Sequence, residues 1–141
     1  MNLFEVKAKY SSIDEKTGKE KKVNATYLVD AVSISDSEQR LHPELEKIVS
    51  GEFDIYASKR ANYSDLLLGN IGDKYYKCKI EFISIDESAG REKKVINYIL
   101  VNADTLEDAR KYLGIELEKF TVDCEVKSIT ETNIEDVFLY Q

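Results

Sequence analysis

One segment occurs twice in this chain, and that repetition limits the fold more than any other feature. Residues 12–23 read S-I-D-E-K-T-G-K-E-K-K-V and residues 84–95 read S-I-D-E-S-A-G-R-E-K-K-V, identical at nine of twelve positions with a constant offset of 72. The match spreads outward. Leu28-Val29-Asp30-Ala31 is answered by Leu100-Val101-Asn102-Ala103, and residues 61–68 by 132–139 at an offset of 71. The chain therefore reads as one domain of 141 residues built from two repeats, 1–68 and 76–141, joined by a linker at 69–75. A repeat this small buries little surface by itself, so the two are expected to share one core about a pseudo-two-fold axis.

Local pattern gives each repeat the same plan. Phe4, Val6, Ala8 and Tyr10 alternate with Glu5, Lys7 and Lys9, the period of a strand with one buried face. Asp14 to Lys19 is polar and holds Gly18, as a hairpin turn needs where the backbone goes to positive φ. A second strand, about Glu20 to Val32, has an apolar core on both faces at Tyr27–Ala31 and is expected to lie centrally in the sheet. Ser33 and Asp36 form a capping box that opens a helix, with Ile34 and Leu41 on its buried side. Pro43 is expected to break this helix and start a second one that carries Leu45, Ile48 and Val49 and ends at Gly51. A third strand, Phe53 to Ser58, and a short tail at 61–68 complete the repeat.

In the second repeat Tyr76, Cys78, Ile80 and Phe82 point inward, opposite Lys77, Lys79 and Glu81. Thr105 and Asp108 repeat the capping box. Leu106, Ala109 and Leu113 mark the inner side of a helix expected to stop near Gly114, and Phe120, Val122, Cys124 and Val126 the inner face of the third strand. The fold class is α+β: tandem duplicated β-β-α-β units, antiparallel sheet with helices on one face.

Composition narrows the function classes. A formal net charge of −7 argues against a protein that holds nucleic acid by bulk charge. No apolar run approaches the ~20 residues of a membrane span. The opening Met-Asn-Leu-Phe-Glu-Val-Lys alternates like a strand and lacks the build of a signal peptide, so a cytoplasmic location is expected. Cys78 and Cys124 fall on inward strand faces and read as small core residues. His42, the single histidine, precedes Pro43 and suits a surface or capping role. No nucleophile–base pair and no Cys/His cluster stands out, so neither an enzyme nor a cofactor or metal is expected.

Two groups of residues could bind a partner. The duplicated turns, with Asp14-Glu15 and Asp86-Glu87, lack the ligand spacing of a calcium loop and the glycines of a phosphate loop, and read as solvated hairpin tips. Lys7, Lys9, Lys77 and Lys79 are taken as equivalent outward positions of the two first strands. In one sheet they would make a basic stripe, with Tyr56 beside it near Lys59 and Arg60. Lysine with exposed aromatic is how a sheet binds single-stranded nucleic acid. The competing reading is an ordinary solvated face, which Glu5 and Glu81 on the same faces favour.

Asn2-Leu3-Phe4-Glu5-Val6-Lys7, Tyr27–Ala31, Ser50-Gly51-Glu52-Phe53 and Tyr75-Tyr76-Lys77-Cys78-Lys79 together resemble a small domain family of unknown function found in gut Bacteroidales, their mobile elements and phages. The resemblance runs nearly the whole length, through Asn97-Tyr98 and Thr130-Glu131-Thr132, and carries no catalytic or ligand residues. It implies a phage or mobile-element accessory factor. The expectation is thus a non-enzymatic protein that binds a host protein. The alternative is a single-strand nucleic-acid binder using the lysines and Tyr56. Unpaired sheet edges add a route to a homodimer.

Overall fold

The computed structural model describes residues 2–140. In chain order these form β1 (Leu3–Ile13), β2 (Glu20–Asp30), α1 (Ile34–Ile48), β3 (Phe53–Ala61), β4 (Asp65–Leu67), β5 (Lys74–Asp86), β6 (Arg91–Ala103), α2 (Leu106–Leu117), β7 (Asp123–Glu131) and β8 (Ile134–Phe138). The class is α+β, with two mostly antiparallel four-stranded sheets, ordered β3-β1-β2-β8 and β4-β6-β5-β7. The chain divides into two compact units. One joins the residues up to Ala61 with those from Ile134 on; the other is Asn62–Asn133.

The repeats thus do not end where the units do. β4, the tail of the first repeat, lies parallel to β6 of the second unit, with Asp65 opposite Ile99. β8, the tail of the second, lies parallel to β2 of the first, with Asp136 opposite Tyr27. Each tail aspartate accepts the next residue's N–H on its own Oδ1, at 2.8 Å in both cases. Chain reach explains the exchange. A parallel neighbour in the same sheet needs a crossover of roughly a dozen residues, and only residues 62–64 separate β3 from β4. From the β3 edge, the far side of β2 lies three strand spacings away, roughly 14 Å. A repeat therefore cannot lay its tail on its own sheet. The segment at 69–75, expected to be a linker, lies inside the second unit and runs into β5, which starts at Lys74.

Each unit has its own hydrophobic cluster, where one shared core was expected. In the first, Phe4, Val6, Ala8, Tyr27 and Val29 of the sheet meet Leu41 and Leu45 of α1. In the second, Tyr76, Cys78, Ile80, Ile99 and Val101 meet Ala109 and Leu113 of α2. β2 and β6 are inner strands, as their two-sided apolar runs foretell, and Leu28 and Leu100 are fully buried. The hairpin turns contain the only positive-φ residues described, Gly18 at 68° and Gly90 at 63°. Asp14 accepts the Lys16 N–H, and Asp86 accepts both the N–H and the hydroxyl of Ser88.

The helices depart from expectation in three ways. Pro43 lies inside one continuous α1, which ends in a cap at Val49 and not at Gly51. Its missing N–H costs only the bond to the Gln39 carbonyl, and both residues are exposed, so that oxygen is not sealed in the core. Gly114 likewise sits within α2, which continues to Leu117, because Leu117 and Tyr112 pack onto the cluster. Ile34 and Leu106 are 51% and 43% exposed. They follow the caps directly, so the first turn of each helix overhangs the apolar surface that the middle turns cover. The caps themselves form as expected: Ser33 Oγ accepts the Asp36 N–H and Thr105 Oγ1 the Asp108 N–H, both at 3.1 Å. Asp36 closes back on the Val32 N–H at 3.0 Å.

The third strands are also revised. β7 begins at Asp123, leaving Phe120 and Val122 before it and largely exposed, although Phe120 still meets Phe82 at 5.3 Å between ring centroids. Register slips by one residue in both edge pairs. Lys7 faces Ala57 while Ala8 faces Ile55, and Lys79 faces Ser128 while Ile80 faces Val126. Tyr56 and Lys127 are the extra residues, so each third strand bulges at the same place.

Candidate functional site

The bulge decides where the sequence-predicted binding residues go. Tyr56, unpaired in register and 48% exposed, lies under the Lys9 ammonium at 5.5 Å. Lys9 also reaches Asp54 at 3.9 Å. In the second unit Lys77 lies over Tyr98 at 4.6 Å and Tyr63 at 5.8 Å. These are local lysine–tyrosine pairs. The four lysines do not share one sheet, as the expected stripe required, because β1 and β5 belong to different sheets. Nor are the four lysines equivalent. Lys7 faces Thr26 and Lys79 faces Tyr98, a true match at the offset of 72, but Lys77 takes the place of Glu5 and Lys9 that of Glu81. The face away from the helix is not open either. Thr26 and Leu28 are buried on it in the first unit, Leu100 and Asn102 in the second, and Lys7, Lys77 and Lys79 are half-buried. Neighbouring acids hold part of the charge: Glu5 meets Lys59 at 3.7 Å, and Glu81 meets Lys94 at 3.8 Å and Lys127 at 4.0 Å.

The hairpins extend well past the clusters. Residues 11–22 are exposed throughout, as are 84–96, so each unit carries a two-stranded arm. Ile13 and Ile85, 72% and 74% exposed, sit near the tips. At Asp86 the Ser88 hydroxyl and the Ala89 amide hold the carboxyl below its usual range.

A third feature has no forerunner among the expected binding residues. A groove of about 690 Å³ runs between α1 and β3, with Glu38, Gln39, His42 and Pro43 on one wall and Asp54 and Ile55 on the other. His42 meets Phe53 in a tilted contact, ring centroids 4.9 Å apart, and sets its Nδ1 2.9 Å from Glu46 Oε1, one turn along the helix. The signal for this groove is Pro43, which marks an altered helix face without breaking the helix.

The cysteines are both free. Their strands are neighbours, but Cys78 faces Ile129 while Cys124 faces Phe82, four residues along β5. Burial pushes the Cys78 thiol up to about 11, the state of an inert core residue. Among the described residues, no three His, Cys, Asp or Glu side chains gather as a metal site, and no helix is long and apolar enough to cross a membrane.

These features describe an α+β protein of two sheet-and-helix units, with exposed arms and a groove at one sheet edge. The chain belongs to the family described as Domain of unknown function (DUF4494), which it matches over residues 2–140. Comparison with curated proteins gave no match.

Proposed function

We propose that this chain is a non-enzymatic interaction protein, a cytoplasmic accessory factor of a phage or mobile element that binds a host protein, and that its two repeats arose by tandem duplication. The observation that carries the reading is the pair of arms. Along β1 and β5 the four helix-facing pairs, Phe4/Tyr76, Val6/Cys78, Ala8/Ile80 and Tyr10/Phe82, all differ, yet segments 12–23 and 84–95, exposed except at half-buried Val23, agree at nine of twelve positions. Folding requires little there beyond the turn glycine and the aspartate that closes the turn. Agreement in solvent with divergence in the core fits a surface that a partner reads in both copies.

The test is affinity capture from host lysate, with and without nuclease, comparing wild type with Ile13→Asp/Ile85→Asp. A defined protein that survives nuclease and is lost with the variant supports the reading; no such protein refutes it. The lysine–tyrosine pairs favour one second reading, single-stranded nucleic-acid binding. It requires affinity that falls steeply with salt and disappears when Lys7, Lys9, Lys77 and Lys79 become glutamate.

A further inference from the structure

β3 is the edge of its sheet and pairs only with β1, so one row of its backbone N–H and C=O groups is open. The 690 Å³ groove lies along that edge, with α1 as its second wall. Its lining leans acidic: Glu38 and Asp54 border it with no lysine or arginine, and the one basic group there, His42, is directed to Glu46 at 2.9 Å. Lys9 approaches Asp54 at 3.9 Å, but both are largely exposed, and such a pair is worth little. The helix wall adds a backbone acceptor. Pro43 has no N–H to give the Gln39 carbonyl, and both residues line the groove. A proline in a helix interior costs about 3 kcal/mol relative to alanine, and because Pro43 is exposed, packing does not account for it. In the second repeat the residues corresponding to Gln39 and Pro43 are Lys111 and Ile115.

We propose that the edge of β3 and the facing wall of α1 form a docking groove for an extended, basic peptide segment of a protein partner, which adds as a strand beside Phe53–Ile55. This rests on the interaction reading above and names the class of partner. Strand addition uses the open backbone row. Lysine or arginine side chains of the guest opposite Phe53 or Ile55 meet Glu38 and the Gln39 carbonyl on the α1 side, and one opposite Asp54 meets that carboxylate on the other face of the sheet. The bulge at Tyr56 limits the pairing to a few residues.

The experiment uses the full chain and a labelled Val-Lys-Lys-Lys-Lys-Val peptide, which presents lysine on both faces of the added strand, followed by fluorescence polarisation and amide hydrogen exchange. Binding is expected to protect the amides of Phe53–Ile55, and the glutamate counterpart is expected not to bind. Glu38→Gln/Asp54→Asn should weaken binding about tenfold, as two charge-assisted contacts are lost. Glu107→Gln/Glu118→Gln, which removes the same charge from exposed positions at the two ends of α2, should leave affinity within about twofold, the scale of screened surface charge. Pro43→Ala restores the helical bond to Gln39, so it should weaken binding while raising the melting temperature. Absence of binding at millimolar peptide, equal loss with both double variants, protection on β7 instead of β3, or competition by oligothymidine would overturn the proposal. The outcomes separate the two readings. If lysate capture succeeds with Glu38→Gln/Asp54→Asn while wild type ignores the peptide, the groove falls and the interaction reading stands. If wild type binds the peptide but captures nothing, the reverse holds.

Discussion

Asn102 offers the most direct check on how the second unit is held together. Its side chain is 7% exposed at the end of β6. Nδ2 donates to the Gly72 carbonyl at 2.9 Å and to the Lys74 carbonyl at 2.8 Å, and Oδ1 accepts the Gly72 N–H at 3.1 Å. Three bonds thus clamp the segment between β4 and β5. At a net contribution of about 1 kcal/mol each, with buried backbone groups left unsatisfied, Asn102→Ala should cost about 3 kcal/mol, or roughly 10 °C in melting temperature for a chain of this size. Gly72 tests the same clamp from the other side. A Cβ there would lie 2.4 Å from the Ala103 carbonyl carbon and 2.6 Å from its Cα, both backbone atoms with little room to give. Gly72→Ala should therefore displace the segment at a cost of about 3 kcal/mol, the upper end of overpacking effects. Because a displaced segment has already lost the Asn102 bonds, the double variant should fall short of the sum by about 1–2 kcal/mol. Urea unfolding of the four proteins measures the cycle. A cost below about 1 kcal/mol for Asn102→Ala, or strict additivity, would refute the clamp.

Cys78 and Tyr27 are protonated in the fold beyond their ordinary range, pushed up by burial to about 11 and about 12, with Tyr10 and Glu135 adding to the effect at Tyr27. The native state then holds protons that the unfolded chain releases, so this stability is complete below pH 9 and is lost as pH rises toward 12. Urea midpoints should fall across that window, each group accounting for roughly 3 kcal/mol; a flat profile would contradict the burial. An aromatic disulfide reagent near neutral pH should label Cys124 in the native protein and reach Cys78 only on unfolding, and rapid labelling of both would refute the placement of Cys78. Phe138→Ala removes the ring that stacks on Tyr27 at 5.8 Å and should cost about 3 kcal/mol. Amide exchange should rise in β2 and not in β6; a rise in β6 alone would overturn the assignment of β8.

Strands β1, β2, β5 and β6 were legible because each carries a sustained alternation or a two-sided apolar run, and each hairpin has a glycine where φ must be positive. The caps at Ser33 and Thr105 were legible for a similar reason, since the donor and acceptor lie three residues apart. Pro43 and Gly114 misled because their local penalties are a few kcal/mol at most, and burial of Leu45 and Leu117 outweighs them. Ile34 and Leu106 misled because periodicity gives the angle of a side chain about the helix but not whether a sheet lies beneath that turn. The lysine stripe failed on alignment: Lys77 and Lys79 resemble Lys7 and Lys9 as a pair, yet the register matches only Lys7 with Lys79. The β3 groove had only an indirect trace, a proline in an otherwise regular helix. Tail exchange had no local trace, because a strand of three or five residues does not reveal its partner.

That exchange also sets a timetable for the nascent chain. The second unit is continuous, so all of it is available once residue 133 has emerged. The first has three of its strands by Ala61 but must wait more than seventy residues for β8. At translation speeds of roughly 5–20 residues per second, the open side of β2 stays uncovered for several seconds. The part of the protein made first is therefore the part completed last.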